Sequence, residues 1–376
     1  PTVQCFRPGE VVIHRDVGDE ASAGAPADAR APGHVPEGLQ QGLVENSLTN
    51  WLCVPIRTAA ETLGVLALGL GAAGWYLLHA PSTPEPHLDT TVTESTITVG
   101  GLERSYLTVV PDRVEPGAPL WVALHGSRMD AAGMRGATGY QLDALAASEG
   151  FVVVYPEGYQ QTWHDCRAAT PYAARRDGVD DVEFLEAVVA DAVGRHGLDP
   201  SRVFGLGYSN GAHMLFRMAA ESPGTFAGIE ANAANWPTAA DDGCEEITAP
   251  VPVVLVEGTG DPINPYDGGK AGMLGQDLGT VLSARETAAM LAEVNGVAGD
   301  VVERVIGGEP GEAGSVALTA FGRGSEAPVE LYTVEGGGHA VPNPVTRLPR
   351  LMGGSTDHLN APVVAWSLFS SLTTSD

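Results

Sequence analysis

The chain has 376 residues, 44% of them hydrophobic, which is enough for a large core and far more than a disulfide-stapled miniprotein contains. Twenty Lys and Arg against 47 Asp and Glu leave a formal charge of −27, and Lys270 is the only lysine. Such a chain repels phosphate backbones, which argues against nucleic acid as a partner. Four cysteines, at 5, 53, 166 and 244, form no Cys-x-x-Cys pair and no Cys/His cluster at zinc spacing, so no structural metal site is expected.

Residues 1–57 are rich in Ala, Gly, Pro and acids, lack a helical or strand period, and read as a disordered arm. Residues 58–80 follow as an apolar segment, free of charge from Thr62 onward, between a signal-peptide core and a full membrane span in length. Arg57 precedes it and no Lys or Arg follows until Arg104, a bias that places the rest of the chain outside the cytoplasm, secreted or anchored at the membrane. Gly69-Leu70-Gly71-Ala72-Ala73-Gly74 satisfies G-x-G-x-x-G as a string, but it lies inside this apolar run, where no strand enters and no helix leaves.

A linker over 81–94 leads to a domain at 95–376. Thr96–Val99 and Ser105–Val110 flank Gly100-Gly101 as a hairpin. Apolar strands at Leu120–Leu124, Phe151–Tyr155, Val203–Leu206, Phe226–Ala231, Val251–Val256 and Val329–Val334 then alternate with helical patterns at Tyr140–Ser148, Asp181–His196, Ala212–Ala220, Ser283–Asn295 and Ala361–Leu372. Continuous apolar strands separated by helices predict an α/β fold, a mostly parallel sheet covered on both faces. Cys166 and Cys244 both fall inside this domain and form a disulfide candidate; two buried free thiols are the alternative.

Gly207-Tyr208-Ser209-Asn210-Gly211 matches G-x-S-x-G, with a strand running in and a helix running out. That context is a nucleophile elbow, which holds the serine hydroxyl above the sheet. A serine needs a base, and the base an orienting acid, in the chain order Ser, acid, His. Asp261 leaves the end of the Val251–Val256 strand in a glycine-rich turn, with Asp267 its nearest competitor, and His339 follows the last strand through Gly336-Gly337-Gly338. His358, just before the final helix, is explained by helix-start contacts. The backbone N–H groups of Asn210 and of Ser127, in the His125-Gly126-Ser127 loop, are the expected oxyanion donors. Together these residues predict acyl transfer on carboxylic esters with no metal or organic cofactor. A peptidase and a catalytically silent surface receptor are the alternatives on the same fold.

Six ordered blocks carry a family resemblance: LHG at 124–126, VVYPEG at 153–158 with Trp163 after it, DDVEFL at 180–185, GYSNGAHM at 207–214, GTGDPINPYDGG at 258–269 and ELYTVEGGGHAVP at 330–342. Over roughly 95–374 the chain resembles extracellular polyhydroxyalkanoate depolymerase and feruloyl esterase-like α/β-hydrolases. The resemblance implies an α/β-hydrolase fold, a Ser209-Asp261-His339 triad, a small-molecule or oligomeric ester as substrate, and a substrate cleft lined by Trp163 and Tyr208. Where the family often has Trp-Pro-Gly two residues after the histidine, this chain has Val341-Pro342-Asn343, and Glu257 stands where many relatives carry His.

Overall fold

The computed structural model describes residues 3–5, 11–13, 33–34 and 76–372. The chain divides into two compact units, Pro1–His79 and Ala80–Asp376. In the first, β1 (Val3–Cys5), β2 (Val11–Ile13) and β3 (Gly33–His34) pair antiparallel in that order. The rest of the arm read as disordered, and residues 58–75 of the apolar segment, lie outside the described residues. Among the described residues no helix is long and apolar enough to cross a membrane.

The second unit opens with β4 (Thr90–Val99) and β5 (Leu102–Pro111), joined through Gly100 and Gly101 at φ +57° and +79°. Both turn residues sit at positive φ, the backbone whose twist suits a two-residue hairpin and which glycine adopts without strain. β4 starts within the expected 81–94 linker, because its threonine-rich, mostly exposed sequence looks polar while still suiting an edge strand.

In chain order follow β6 (Leu120–Leu124), α1 (Ala131–Ala137), α2 (Gln141–Glu149), β7 (Val152–Pro156), α3 (Ala173–Arg176), α4 (Asp181–His196), β8 (Val203–Tyr208), α5 (Asn210–Glu221), β9 (Gly228–Asn232) and β10 (Val253–Gly258). The short pair β11 (Gly269–Lys270) and β12 (Thr280–Val281), then α6 (Ala284–Val294), β13 (Val301–Gly307), β14 (Val316–Phe321), β15 (Val329–Val334) and α7 (Ala361–Leu372) complete the unit. Ten strands form one sheet in the order β13-β14-β15-β10-β9-β8-β6-β7-β5-β4. From β15 to β7 every pairing is parallel, and the outer strands on both sides are antiparallel.

Alternation along the buried strands feeds two cores. Leu120, Val122 and Leu124 of β6 pack in one cluster with Phe184 and Leu185 of α4, Leu215 of α5 and Leu291 of α6. Trp121 and Ala123 pack in the other, with Met134 of α1, Leu142 of α2 and Phe369 of α7. Helices therefore cover both faces, as strands apolar at every position require. The parallel register also carries the C-terminal ends of β6, β8, β10 and β15 to one edge of the sheet, where the loops bearing the candidate residues emerge.

Candidate active site

Ser209 stands between β8 and α5 with φ +53° and ψ −116°, a backbone that L-residues rarely adopt. Its amide donates to the carbonyl of Asn232 on β9 at 2.9 Å, which ties the turn to the neighbouring strand. The flanking glycines are steric requirements. A Cβ on Gly207 would lie 2.5 Å from the Ala212 Cα, and one on Gly211 would lie 2.3 Å from the Leu124 carbonyl oxygen. No side chain fits where α5 begins so close to the end of β6.

Three side chains from three strand ends meet in a line. His339 Nε2 lies 2.8 Å from Ser209 Oγ, and Nδ1 lies 2.7 Å from Asp261 Oδ2. The other Asp261 oxygen, Oδ1, accepts the Ile263 and Asn264 amides at 2.7 and 2.9 Å. A carboxylate can only accept, so Nδ1 carries the ring proton and donates it in a hydrogen bond to Asp261, leaving Nε2 free to accept the serine hydroxyl. His339 is itself fixed: its amide donates to the Met352 carbonyl, and its carbonyl accepts the Tyr208 hydroxyl at 2.9 Å. The competitors lie elsewhere. Asp267 is exposed, and His358 packs over Gly307 and Gly308 at the end of β13.

The loop after β6 lies against the elbow, where a Cβ on Gly126 would sit 3.5 Å from the Ser209 Cβ. Neither the Ser127 nor the Asn210 amide enters a backbone hydrogen bond among the described residues. His125 shapes this loop. Its Nδ1 donates to the Gly126 carbonyl at 2.8 Å and its Nε2 accepts the Gly158 amide at 2.9 Å, an arrangement open only to the neutral ring. Burial lowers its pKa to about 4, so the Glu157 carboxylate 3.9 Å away faces a neutral imidazole and not a cation.

Trp163 corrects an expectation. It does not line an open cleft: its side chain is fully buried, with the indole N–H donating to the His125 carbonyl at 2.9 Å. A large apolar ring with one donor suits a buried position where that donor finds an acceptor. Tyr208 is also largely buried, its ring 5.2 Å from that of His339. It forms one wall of a cleft of about 90 Å³, shared with Met129, Val341, Asn343 and Leu348.

Cys166 and Cys244 are joined in a disulfide. Asp242 lies close enough to make a three-ligand group with them, but bridged sulfurs are not thiolates and offer a metal little.

Sequence reasoning noted Glu257 only as a departure from the family and missed that it, Asp165 and Arg167 hold these parts. Glu257, fully buried and with its pKa raised well by that burial, accepts the Ala234 amide and the Asn264 side chain, and so supports the turn after Asp261. Asp165 and Arg167 pair at 2.5 Å beside the elbow. The available signal was an acid and a cation flanking a cysteine in a loop between apolar blocks.

A mostly parallel sheet with a strand-turn-helix serine at its edge defines an α/β-hydrolase. Residues 105–299 match the family model described as esterase PHB depolymerase, and the chain belongs to that family. It is 34% identical over 191 residues to "Putative esterase NocK" of Nocardia uniformis subsp. tsuyamanensis, a match over 50% of this chain and 54% of that protein. It is 36% identical over 122 residues to poly(3-hydroxyalkanoate) depolymerase C of Paucimonas lemoignei, over 32% of this chain and 28% of that one. The chain thus spans about half the length of the first relative and less of the second. Among solved structures, the acetyl xylan esterase of Aspergillus awamori aligns with a TM-score of 0.48 and 19% identity, over 67% of this chain and 95% of that one.

Proposed function

We propose that the chain is a serine carboxylesterase acting outside the cytoplasm. The observation that carries this reading is the unbroken hydrogen-bond line from Asp261 through His339 to Ser209. In the reaction, His339 Nε2 takes the Ser209 proton as Oγ attacks the ester carbonyl carbon, and the carbonyl electrons move to the oxygen. The Ser127 and Asn210 amides receive that oxyanion. The tetrahedral species collapses, the alkoxide leaves with the proton from His339, and an acyl-serine remains. Water repeats the sequence, releasing the acid and the free hydroxyl. Asp261 keeps its charge throughout and stabilises the imidazolium.

The relatives' names bracket the substrate as a polyhydroxyalkanoate-type or related ester. With Val341-Pro342-Asn343 after the histidine, no aromatic stands there to stack on a ferulate ring, which favours an aliphatic acyl group. The Cys166–Cys244 bridge supports an oxidising compartment.

The test is Ser209→Ala on p-nitrophenyl acetate, with a fluorophosphonate probe on the unaltered chain. Removal of a triad serine elsewhere costs about 10⁶ in kcat, so a loss of at least ~10³ is expected together with a label on Ser209. Undiminished turnover in Ser209→Ala refutes the mechanism.

A further inference from the structure

The residue after the nucleophile is held in an unusual way. Asn210 opens α5, a position where a polar side chain is ordinarily solvated, yet here it is fully buried with its polar atoms engaged. Oδ1 accepts the Trp163 amide at 2.8 Å, and Nδ2 donates to Asp165 Oδ2 at 2.6 Å and to the Trp163 carbonyl at 3.1 Å. Asp165 is 1% exposed and is itself locked to Arg167, through Nη2 at 2.5 Å and through the Arg167 amide at 2.9 Å.

The same segment reaches the other candidate donor. The Arg167 guanidinium lies 5.8 Å from the centre of the Tyr172 ring, and the Tyr172 hydroxyl donates to Ser127 Oγ at 3.3 Å. Between Asp165 and Arg167 stands Cys166, bridged to Cys244. The Cys166 carbonyl also accepts the Gly243 amide, and the Ala168 amide donates to the Asp241 carbonyl, both at 2.7 Å. A loop of this kind, without regular structure of its own, is thus fastened at its centre and grips both sides of the site.

We propose that residues 163–172 are a brace for the oxyanion hole. Asn210 and Asp165 act as positioning residues that set where the Asn210 amide points, and the Cys166–Cys244 bridge keeps the brace in place. The proposal rests on the esterase reading. Its physical basis is that an oxyanion donor acts on charge that develops only in the transition state, so misdirecting it lowers kcat and leaves KM alone.

The experiment compares the unaltered chain with Asn210→Ala and Cys244→Ser on p-nitrophenyl acetate, with active serines counted by fluorophosphonate labelling so that kcat is expressed per labelled site. Misplacement of a reacting group by about 1 Å costs up to ~10²-fold, so Asn210→Ala is expected to lose about 10- to 100-fold in kcat with KM within about twofold. Affinity for an alkylboronic acid, whose serine adduct puts an oxygen in the same place, should fall in parallel, a coupling that a general loss of folded protein would not produce. If Asn210→Ala yields no labelled protein, Cys244→Ser, which alters no residue of the site, carries the test, with a fall in kcat at constant KM expected. A kcat per labelled serine within twofold of the unaltered chain overturns the brace. An unaltered chain that neither labels nor turns over overturns the esterase reading instead.

Discussion

At the scale of single residues, Ser209 owes its position to what its neighbours lack. The helix that follows it starts where any Cβ at residue 211 would fall 2.3 Å from the Leu124 oxygen and 2.6 Å from the His125 oxygen. These are backbone atoms at the end of a fully buried strand, so they cannot rotate away as a side chain could. Gly211→Ala is therefore expected to destabilise the protein by about 3 kcal/mol or more, at the upper end of overpacking costs. Gly194→Ala is the control: that glycine is exposed within α4 with nothing near its missing Cβ, and the change should be neutral or add up to ~1 kcal/mol. Denaturant midpoints of the two variants check both signs, and equal midpoints would contradict the packing argument. The convergence of Ser209, Asp261 and His339 was legible because each leaves the end of an apolar strand in a glycine-bearing turn. Trp163 and Asp165 could not, since whether a polar or aromatic side chain faces a cleft or a neighbouring loop depends on contacts made by residues tens of positions away.

At the scale of elements, the loops leaving β6 and β7 are joined by one imidazole. Folding requires His125 neutral, because Nε2 must accept the Gly158 amide, and burial holds its pKa at about 4 against an ordinary value of 6.5. Between those two values the unfolded chain binds the proton and the folded chain does not. The stabilisation is therefore whole above pH 6.5 and is lost as pH falls toward 4. At pH 4.5 the loss from this ring is about 2 kcal/mol. His213, buried on α5 and lowered in the same direction by the same cause, adds to the trend without sharing these contacts. His125→Gln keeps one donor and one acceptor but cannot titrate, so its denaturation free energy should drop less between pH 7 and pH 4.5 than that of the unaltered chain. Equal drops would remove His125 as the cause. Several elements with a clear helical period or an apolar strand pattern were legible: Asp181–His196, Val329–Val334 and Ala361–Leu372 form at the expected bounds. β13 was not expected, because it is an exposed edge carrying Glu303 and Arg304 between its apolar residues, and β14, although apolar and buried over Val316–Phe321, was missed with it. Those charges suit an edge strand and hide its period.

At the scale of the whole molecule, the excess of acidic groups is a standing electrostatic load. With 47 acids against 20 cations, most surface carboxylates have no basic partner to meet, and their mutual repulsion favours the expanded chain. Exposed pairs such as Arg285–Glu303 and Lys270–Asp277 act in the opposite sense, but solvent and salt screen them and leave each a weak contribution. A net charge of −27 outweighs them, so added salt should stabilise the fold. Sodium chloride is the suitable probe because its main effect at moderate concentration is screening. The Debye length is already near ~10 Å at 0.1 M, shorter than most separations between surface charges, so most of the gain should arrive by about 0.3 M. Thermal unfolding at pH 7.5 in 10, 100 and 300 mM sodium chloride is expected to give a rising midpoint with shrinking increments. A flat midpoint over that range would mean that the acidic excess is too dispersed to strain the fold. A rise confined to molar salt would point to surface exclusion of the ions and away from charge repulsion.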